Sequence, residues 1–172
     1  MTILYSGAFP VAYGQFYLEA GNRFEGDMAR CFAGQSNGLL GARVPGLLFA
    51  VTGLHTGIVG LTISLEDGEP ILDESWDEIV EVSLQVSGSE VGLLEWSSDV
   101  PHGLAVMAGS YRVRYAACNM DAASEADTHE GAEPIDQYRL QLWPASPQPD
   151  MVIRQTGATA EYWHDWARGL QT

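Results

Sequence analysis

The sequence IVGLTISLE occupies residues 58–66, and its apolar side chains alternate with small or polar ones. The apolar members are Val59, Leu61, Ile63 and Leu65. Because successive side chains of a β-strand point to opposite faces, this alternation predicts a strand with one face in a core and the other toward solvent. The strand runs directly into the most acidic part of the chain.

The same alternation recurs on both sides of this segment, at residues 80–86, 111–115 and 138–142. It places Glu81, Arg112 and Arg114 on the solvent face of their strands. Further β-prone segments lie between turn signals, at residues 11–18, 47–52, 91–96 and 151–156. The Ser87-Gly88-Ser89 turn predicts a hairpin that joins strand 80–86 to strand 91–96.

Helical periodicity is convincing only at residues 158–170, where Thr159 is the predicted N-cap and Gly169 the end. Tyr162, Trp163 and Trp166 should share one side of this helix and dock on the core. Short helical turns are also predicted within residues 24–32 and 122–126. We therefore predict an all-β fold, an antiparallel β-sandwich of about seven to nine strands with a short C-terminal helix, in one domain covering residues 1–172.

The charge composition restricts the choice of partners. The chain has 23 acidic and eight basic residues, all of the latter arginine, and a net charge of −15. A field of this sign repels nucleic acid and anionic lipid and attracts cationic partners. No apolar run is long enough to cross a bilayer, and the first residues lack a secretory signal, so we expect a cytoplasmic protein. Cys31 and Cys118 belong to no CxxC motif and are expected to be free thiols, although a disulfide between them stays open.

Two acidic segments hold 14 of the 23 acidic residues. Residues 66–81 contain eight and residues 121–136 contain six, with no basic residue in either segment. Both are predicted to be loops, the first of which leads into strand 80–86. If they converge in space, the protein has one acidic face; if they point apart, they are merely solvated surface.

Catalytic and metal-binding alternatives rest on weaker patterns. Residues 34–38, GQSNG, match the G-x-S-x-G pattern with Ser36 as nucleophile, and His55 follows a predicted core strand; a hydrolase using Ser36 or His55 is the second alternative. The first is a calcium- or small-ligand-binding module, with oxygen ligands from the loops EDGEP and DAASEAD. The four histidines lack metal-binding spacing, so no metal ligand, catalytic residue or cofactor is assigned.

Four segments resemble the competence protein J family, namely YGQFYLE (13–19), EIVEVSLQV (78–86), GSYRVRY (109–115) and YRLQLWP (138–144). The resemblance implies a small β-sandwich associated with inhibition of a DNA-entry nuclease, and it carries over no catalytic residue. Together with the charge, it predicts an inhibitor or immunity-type protein that is not an enzyme and that binds a basic nuclease-like toxin or enzyme. The predicted partner-binding residues are Glu66, Asp67, Glu69, Asp73, Glu74, Trp76, Asp77, Glu78, Asp121, Glu125 and Asp127.

Overall fold

The structure is a computed structural model that describes residues 1–170. It contains twelve strands and three helices. The strands are β1 (Thr2–Val11), β2 (Gln15–Glu19), β3 (Leu40–Gly41), β4 (Leu47–Val51), β5 (Thr56–Leu65), β6 (Glu78–Val86), β7 (Val91–Glu95), β8 (His102–Leu104), β9 (Gly109–Cys118), β10 (Thr128–His129), β11 (Gln137–Pro144) and β12 (Met151–Arg154). The helices are α1 (Met28–Phe32), α2 (Met120–Ala126) and α3 (Ala158–Gly169). Across residues 1–170, none of the helices has both the length and the apolar character that crossing a bilayer requires.

The strands form two sheets, which confirms the predicted all-β sandwich. The larger sheet has the order β1-β5-β11-β9-β6-β12, with β10 added against β5, and the smaller has the order β3-β4-β2-β7-β8. All pairings are antiparallel except those of β5 with β11 and with β10. Several strands are short, which is why the structure has more than the seven to nine predicted. The parallel pairings were not foreseen because alternation identifies a strand without identifying its neighbours.

The alternating residues fill the space between the sheets as predicted. Val59, Leu61 and Ile63 of β5 are buried against residues of the smaller sheet such as Leu18 and Leu48. A second apolar cluster lies on the opposite face of the smaller sheet, where it is covered by α1 and α3. Strand β4 is therefore buried on both faces, which explains its continuous apolar sequence LLFAV.

The predicted hairpin between strands 80–86 and 91–96 is wrong. Strand β6 pairs with β9 and β12 in the larger sheet, whereas β7 pairs with β2 and β8 in the smaller one. The turn at Ser87 carries the chain across the sandwich, and the Ser87 N–H donates to the carbonyl oxygen of Ala20. A turn between two alternating segments fits a crossover between sheets as well as a hairpin.

Helix α3 lies where it was predicted, but Thr159 is not its N-cap. Its N-cap is Gly157, and the exposed N–H groups of Ala158 and Thr159 donate to the carboxylate of Asp121 at 3.0 and 2.8 Å. The cap therefore comes from another element, which the local sequence of the helix does not reveal. Trp163 and Trp166 pack on the core as predicted, but Tyr162 is exposed.

His164 of α3 makes the stability of the fold depend on pH. Its buried ring accepts a hydrogen bond at Nδ1 from the N–H of Gly38 at 2.9 Å. Burial, assisted by the charge of Arg168, lowers the pKa of His164 from 6.5 to about 4, while the charges of Asp165 and Asp150 act in the opposite direction. The folded state thus disfavours the protonated ring.

We expect His164 to cost the protein stability as the pH falls from 6.5 to about 4, because in that range the unfolded chain binds a proton that the folded chain does not. The loss should reach about 2–3 kcal/mol near pH 4.5 relative to pH 7.5. The measurement is the free energy of unfolding in urea for wild type and His164→Gln at both pH values. Because carboxylates titrate in both proteins, the difference between the two isolates the histidine; equal pH dependences would contradict the prediction.

Candidate protein-binding surface

The first acidic segment forms a strap, defined here as residues 66–77, across the outer face of the larger sheet. The strap leaves the end of β5 and returns to the start of β6. Arg114 of β9 donates to the carbonyl oxygen of Pro70 and pairs with Glu69, at 2.8 and 3.4 Å. Arg139 of β11 pairs with Asp73 at 3.3 Å and lies over the ring of Trp76. The strap is thus held to the sheet by arginines whose side chains point outward from the sheet.

A buried polar layer lies beneath the strap, so the expectation that this face is open to solvent is wrong. Arg112 and Arg114 are 2% and 3% exposed, and Glu81 is also buried. One carboxylate oxygen of Glu81 contacts Arg114 at 2.8 Å and the other contacts Nε of Arg112 at 3.3 Å. The alternation correctly separates the two faces of the sheet, but it does not reveal that the polar face is covered.

Three of the predicted partner-binding residues lie at the β5 end of the strap. Glu66 accepts hydrogen bonds from Ser64 and Gln141, Asp67 pairs with the N-terminal ammonium group, and Glu69 pairs with Arg114. The other end of the strap meets β6, whose first residue aligns through β9 and β11 with Leu61 of β5. The distance from Leu61 to Glu66 along the strand direction is about 17 Å, so these three acids lie well away from the rest.

Asp73, Trp76 and Glu78 have structural roles. Asp73 accepts hydrogen bonds from the side chains of Ser75 and Trp76, and the bonds from Ser75 are the main reason that its pKa is lowered. Glu78 is 2% exposed and accepts hydrogen bonds from the N–H groups of Thr156 and Gly157. Burial raises the pKa of Glu78, and its carboxylate is out of reach of a partner.

The two acidic segments converge where the strap meets β6. The N–H of Asn119 donates to Asp77 at 2.9 Å, and the Asn119 side chain donates to the carbonyl oxygen of Ile135, so both ends of the second segment are tied to this point. The exposed and half-exposed carboxylates here form what we name the acidic end. Its members are Glu74, Asp77, Asp121, Glu125, Asp127, Glu130 and Glu133. Within residues 1–170, none of the seven forms an ion pair.

The second acidic segment is not one long loop, and the helical turn predicted at residues 122–126 is confirmed. It contains α2, which buries Met120 and Ala123, and the short strand β10. Asp136 is fully buried, accepts hydrogen bonds from the Tyr138 hydroxyl and the Leu54 N–H, and has its pKa raised by burial. The carboxylates of the acidic end are therefore presented by a fixed backbone.

An exposed aromatic cluster, consisting of Tyr13, His55 and Trp96, adjoins the acidic end. The Tyr13 ring lies 4.4 Å from that of Trp96 and 5.2 Å from that of His55, between centroids. The N–H of His55 donates to the carbonyl oxygen of Asp127, which joins the cluster to the acidic end. Tyr13 and Trp96 are 57% and 39% exposed. Neither residue is among the predicted partner-binding residues, because local sequence does not show that Tyr13 and Trp96 meet.

Ser36 and the calcium candidates have other surroundings. The Ser36 hydroxyl donates to the carboxylate of Asp150 at 2.9 Å, and the same oxygen accepts from the N–H groups of Ser36 and Asn37. Among residues 1–170, no histidine is hydrogen-bonded to Ser36. Within the same residues, no group of three or more His, Cys, Asp or Glu side chains is arranged to hold a metal ion. Cys31 and Cys118 are free thiols.

Comparisons with known proteins relate the chain to others by fold. No family model matches it, and no curated protein matches it. It is similar to the crystal structure of ComJ, inhibitor of the DNA-degrading activity of NucA, from Bacillus subtilis, with a TM-score of 0.56 and 11% identity over 84% of this chain and 98% of that chain. It is also similar to the crocagin biosynthetic gene J protein, with a TM-score of 0.55 and 14% identity over 82% of this chain and 96% of that chain. The predicted resemblance to the competence protein J family is therefore confirmed as a likeness of fold.

Proposed function

We propose that this protein is an inhibitor or immunity-type protein that binds a basic nuclease-like toxin or enzyme through its acidic end. The observation that carries the proposal is the convergence of two acidic segments beside exposed aromatic side chains. The likeness of fold to ComJ, an inhibitor of a DNA-degrading protein, supports the same role.

The negative charge of the acidic end suits a partner protein whose own ligand is nucleic acid. A nuclease binds phosphates with arginine and lysine side chains, and carboxylates held on a rigid surface can occupy the same positions. Among residues 1–170 the members of the acidic end form no ion pair. Asp77 and Asp121 accept backbone hydrogen bonds from Asn119 and from the start of α3, and the carboxylates of the other five are free to act on a partner. A net charge of −15 adds long-range attraction that accelerates encounter.

The aromatic cluster supplies what the carboxylates alone lack. Exposed surface charges contribute mainly to the rate of association, whereas buried aromatic anchors contribute most of the affinity at protein interfaces. Tyr13 and Trp96 present large apolar faces to solvent, and both can also lie against an arginine or lysine of the partner. An interface centred on this cluster and bordered by the acidic end would have an apolar centre and a charged rim.

Reversing charge at the acidic end should slow association with the partner. We expect Glu125→Lys/Glu130→Lys to reduce the association rate constant about tenfold at low salt, with a smaller effect at higher salt because exposed charges are screened. The measurement is surface plasmon resonance against a basic DNA-degrading nuclease from the same genome, at about 50 mM and about 200 mM salt, together with inhibition of DNA degradation.

The control is Glu25→Lys/Glu90→Lys, which changes the net charge equally at exposed positions near the opposite end of the sandwich. Glu25 also pairs with Arg30 at 3.3 Å, an exposed contact whose loss costs little stability. This double variant should leave most of the association rate intact. An equal loss in both variants would show that only net charge matters, and unchanged kinetics in the acidic-end variant would refute the proposed surface.

A further inference from the structure

A cleft of about 430 Å³ opens on the outer face of the larger sheet, away from the acidic end. Its floor is made by the buried Arg112, Glu81 and Arg114. Its sides come from the strap, from the end of β11 and the segment after it, and from the edge strand β12. The lining residues on these sides include Glu69, Leu72, Trp143, Gln148, Met151 and Ile153.

Arg112 holds unused hydrogen-bonding capacity at this floor. Its Nε donates to Glu81, and its Nη1 donates to the Ser83 hydroxyl and the Gln148 carbonyl oxygen. Its Nη2 is buried and donates to no acceptor within residues 1–170. A buried guanidinium donor without an acceptor is costly, so Nη2 of Arg112 calls for an acceptor that residues 1–170 do not supply.

The charge balance of the floor favours a monoanion. Two guanidinium groups face the single carboxylate of Glu81, which leaves one positive charge on the floor of a chain whose net charge is −15. Glu69, at the exposed rim, reaches Arg114 at 3.4 Å and competes with any anion that enters. The strongly negative field of the whole chain disfavours a phosphate dianion more than a carboxylate, and within residues 1–170 Nη2 of Arg112 is the donor on the floor that remains for it.

The sides of the cleft are apolar. Trp143 lies beneath Arg114, with the guanidinium carbon 5.3 Å from the ring centroid. Leu72 and Met151 are exposed apolar side chains that face the same cleft. A ligand whose charged group reached Arg112 would place its remaining atoms against these side chains, which favours an apolar body.

We propose that this cleft binds a carboxylate carried on a small apolar group, with Nη2 of Arg112 donating to the carboxylate and Arg114 beside it adding positive charge. Two sources share this chemistry, a free small carboxylic acid and the C-terminal carboxylate of a peptide. The site is separate from the proposed partner-binding surface, so its test does not depend on that proposal.

The test is titration of the whole protein, followed by heteronuclear NMR, with N-acetyl-leucine and with the acetylated tripeptide Gly-Gly-Leu. We expect saturable shifts confined to the cleft, with dissociation constants of about 1 mM. N-acetyl-leucinamide, which lacks the charge, should not bind. Tighter binding of the tripeptide would identify a peptide C-terminus as the source, and tighter binding of N-acetyl-leucine would identify a small acid. If neither ligand gives saturable shifts at about 10 mM, the proposal is overturned.

Two variants at exposed positions test the residues without removing the buried pair. Glu69→Gln removes the competing charge and should tighten binding about threefold or more, and Met151→Glu adds a negative charge beside the floor and should abolish it. Glu161→Gln on α3 is the control for Glu69→Gln, because it removes one negative charge outside the cleft, and it should leave the affinity unchanged. An equal gain in Glu161→Gln, or unaltered binding in Met151→Glu, would overturn the site.

Discussion

Replacement of Glu81 by glutamine should reduce the free energy of unfolding by about 3–5 kcal/mol, one of the largest losses that a single substitution can cause in this protein. Glu81 is the only carboxylate beneath the strap that contacts both Arg112 and Arg114 among residues 1–170. Both arginines are nearly inaccessible to water. Glutamine preserves the shape of the side chain but removes its charge. Within residues 1–170 this leaves Arg112 without an anionic partner and Arg114 with the exposed Glu69 alone.

The measurement is the unfolding free energy in urea, a denaturant that does not screen charge. Glu133→Gln is the matched control, because it makes the same chemical change at an exposed position without an ion pair, and it should alter stability by less than about 0.5 kcal/mol. A loss below about 1 kcal/mol in Glu81→Gln would show that water or movement of the strap compensates the arginines.

A triple variant separates unpaired charge from lost packing. Glu81→Leu/Arg112→Leu/Arg114→Leu removes the whole buried ionic group, and burial of apolar side chains of similar volume is often neutral or stabilising. It should recover much of the stability lost in Glu81→Gln. Failure to recover would mean that the hydrogen bonds from the arginines to Pro70 and Gln148 hold the strap and the segment after β11 in place.

The alternating pattern predicted the strands and their inner faces correctly. It did not predict that the strap covers the outer face of the larger sheet. The inward residues of β5 and β11 are buried, apart from Leu65 at the end of β5, which is partly buried. The outward residues Glu81, Arg112 and Arg114 were expected in solvent because period two separates two faces without describing what covers each. The sequence does contain one indication that this face is covered. Two arginines at neighbouring positions on one face of a strand require negative charges nearby. The acidic segment that forms the strap is the nearest source of such charges in the sequence.

The sequence showed which segments are acidic, but it did not show which of their carboxylates are exposed at the acidic end. Runs of carboxylates identified both segments, and their convergence was stated as a condition. Glu74 and Glu78 are close in sequence, yet the first is exposed and the second accepts hydrogen bonds from the backbone that leads into α3. That distinction depends on a contact between residues far apart in the chain, as does the position of Trp96 against Tyr13. Local sequence carries little information on either contact.

The G-x-S-x-G pattern owes its last glycine to helix packing. A Cβ atom added at Gly38 would lie 1.9 Å from the carbonyl oxygen of Trp163 and 2.9 Å from the nitrogen of His164, both in the backbone of α3. The same residue donates its N–H to His164. Gly38 therefore lets α3 approach closely enough for Trp163 and Trp166 to cover the second apolar cluster, on the outer face of the smaller sheet.

We expect Gly38→Ala to reduce the free energy of unfolding by about 3 kcal/mol or more, because the obstructing atoms belong to backbone and cannot move aside without displacing α3. Gly169→Ala at the end of the same helix meets no atom of residues 1–170 within 4 Å and should change stability by less than about 1 kcal/mol. Ser36→Ala removes one hydrogen bond at an exposed position and should cost about 1 kcal/mol. Urea unfolding of the three variants, with tryptophan fluorescence as the probe of α3, gives the comparison. A loss in Ser36→Ala as large as that in Gly38→Ala would indicate that the bond to Asp150, rather than the approach of α3, fixes this turn.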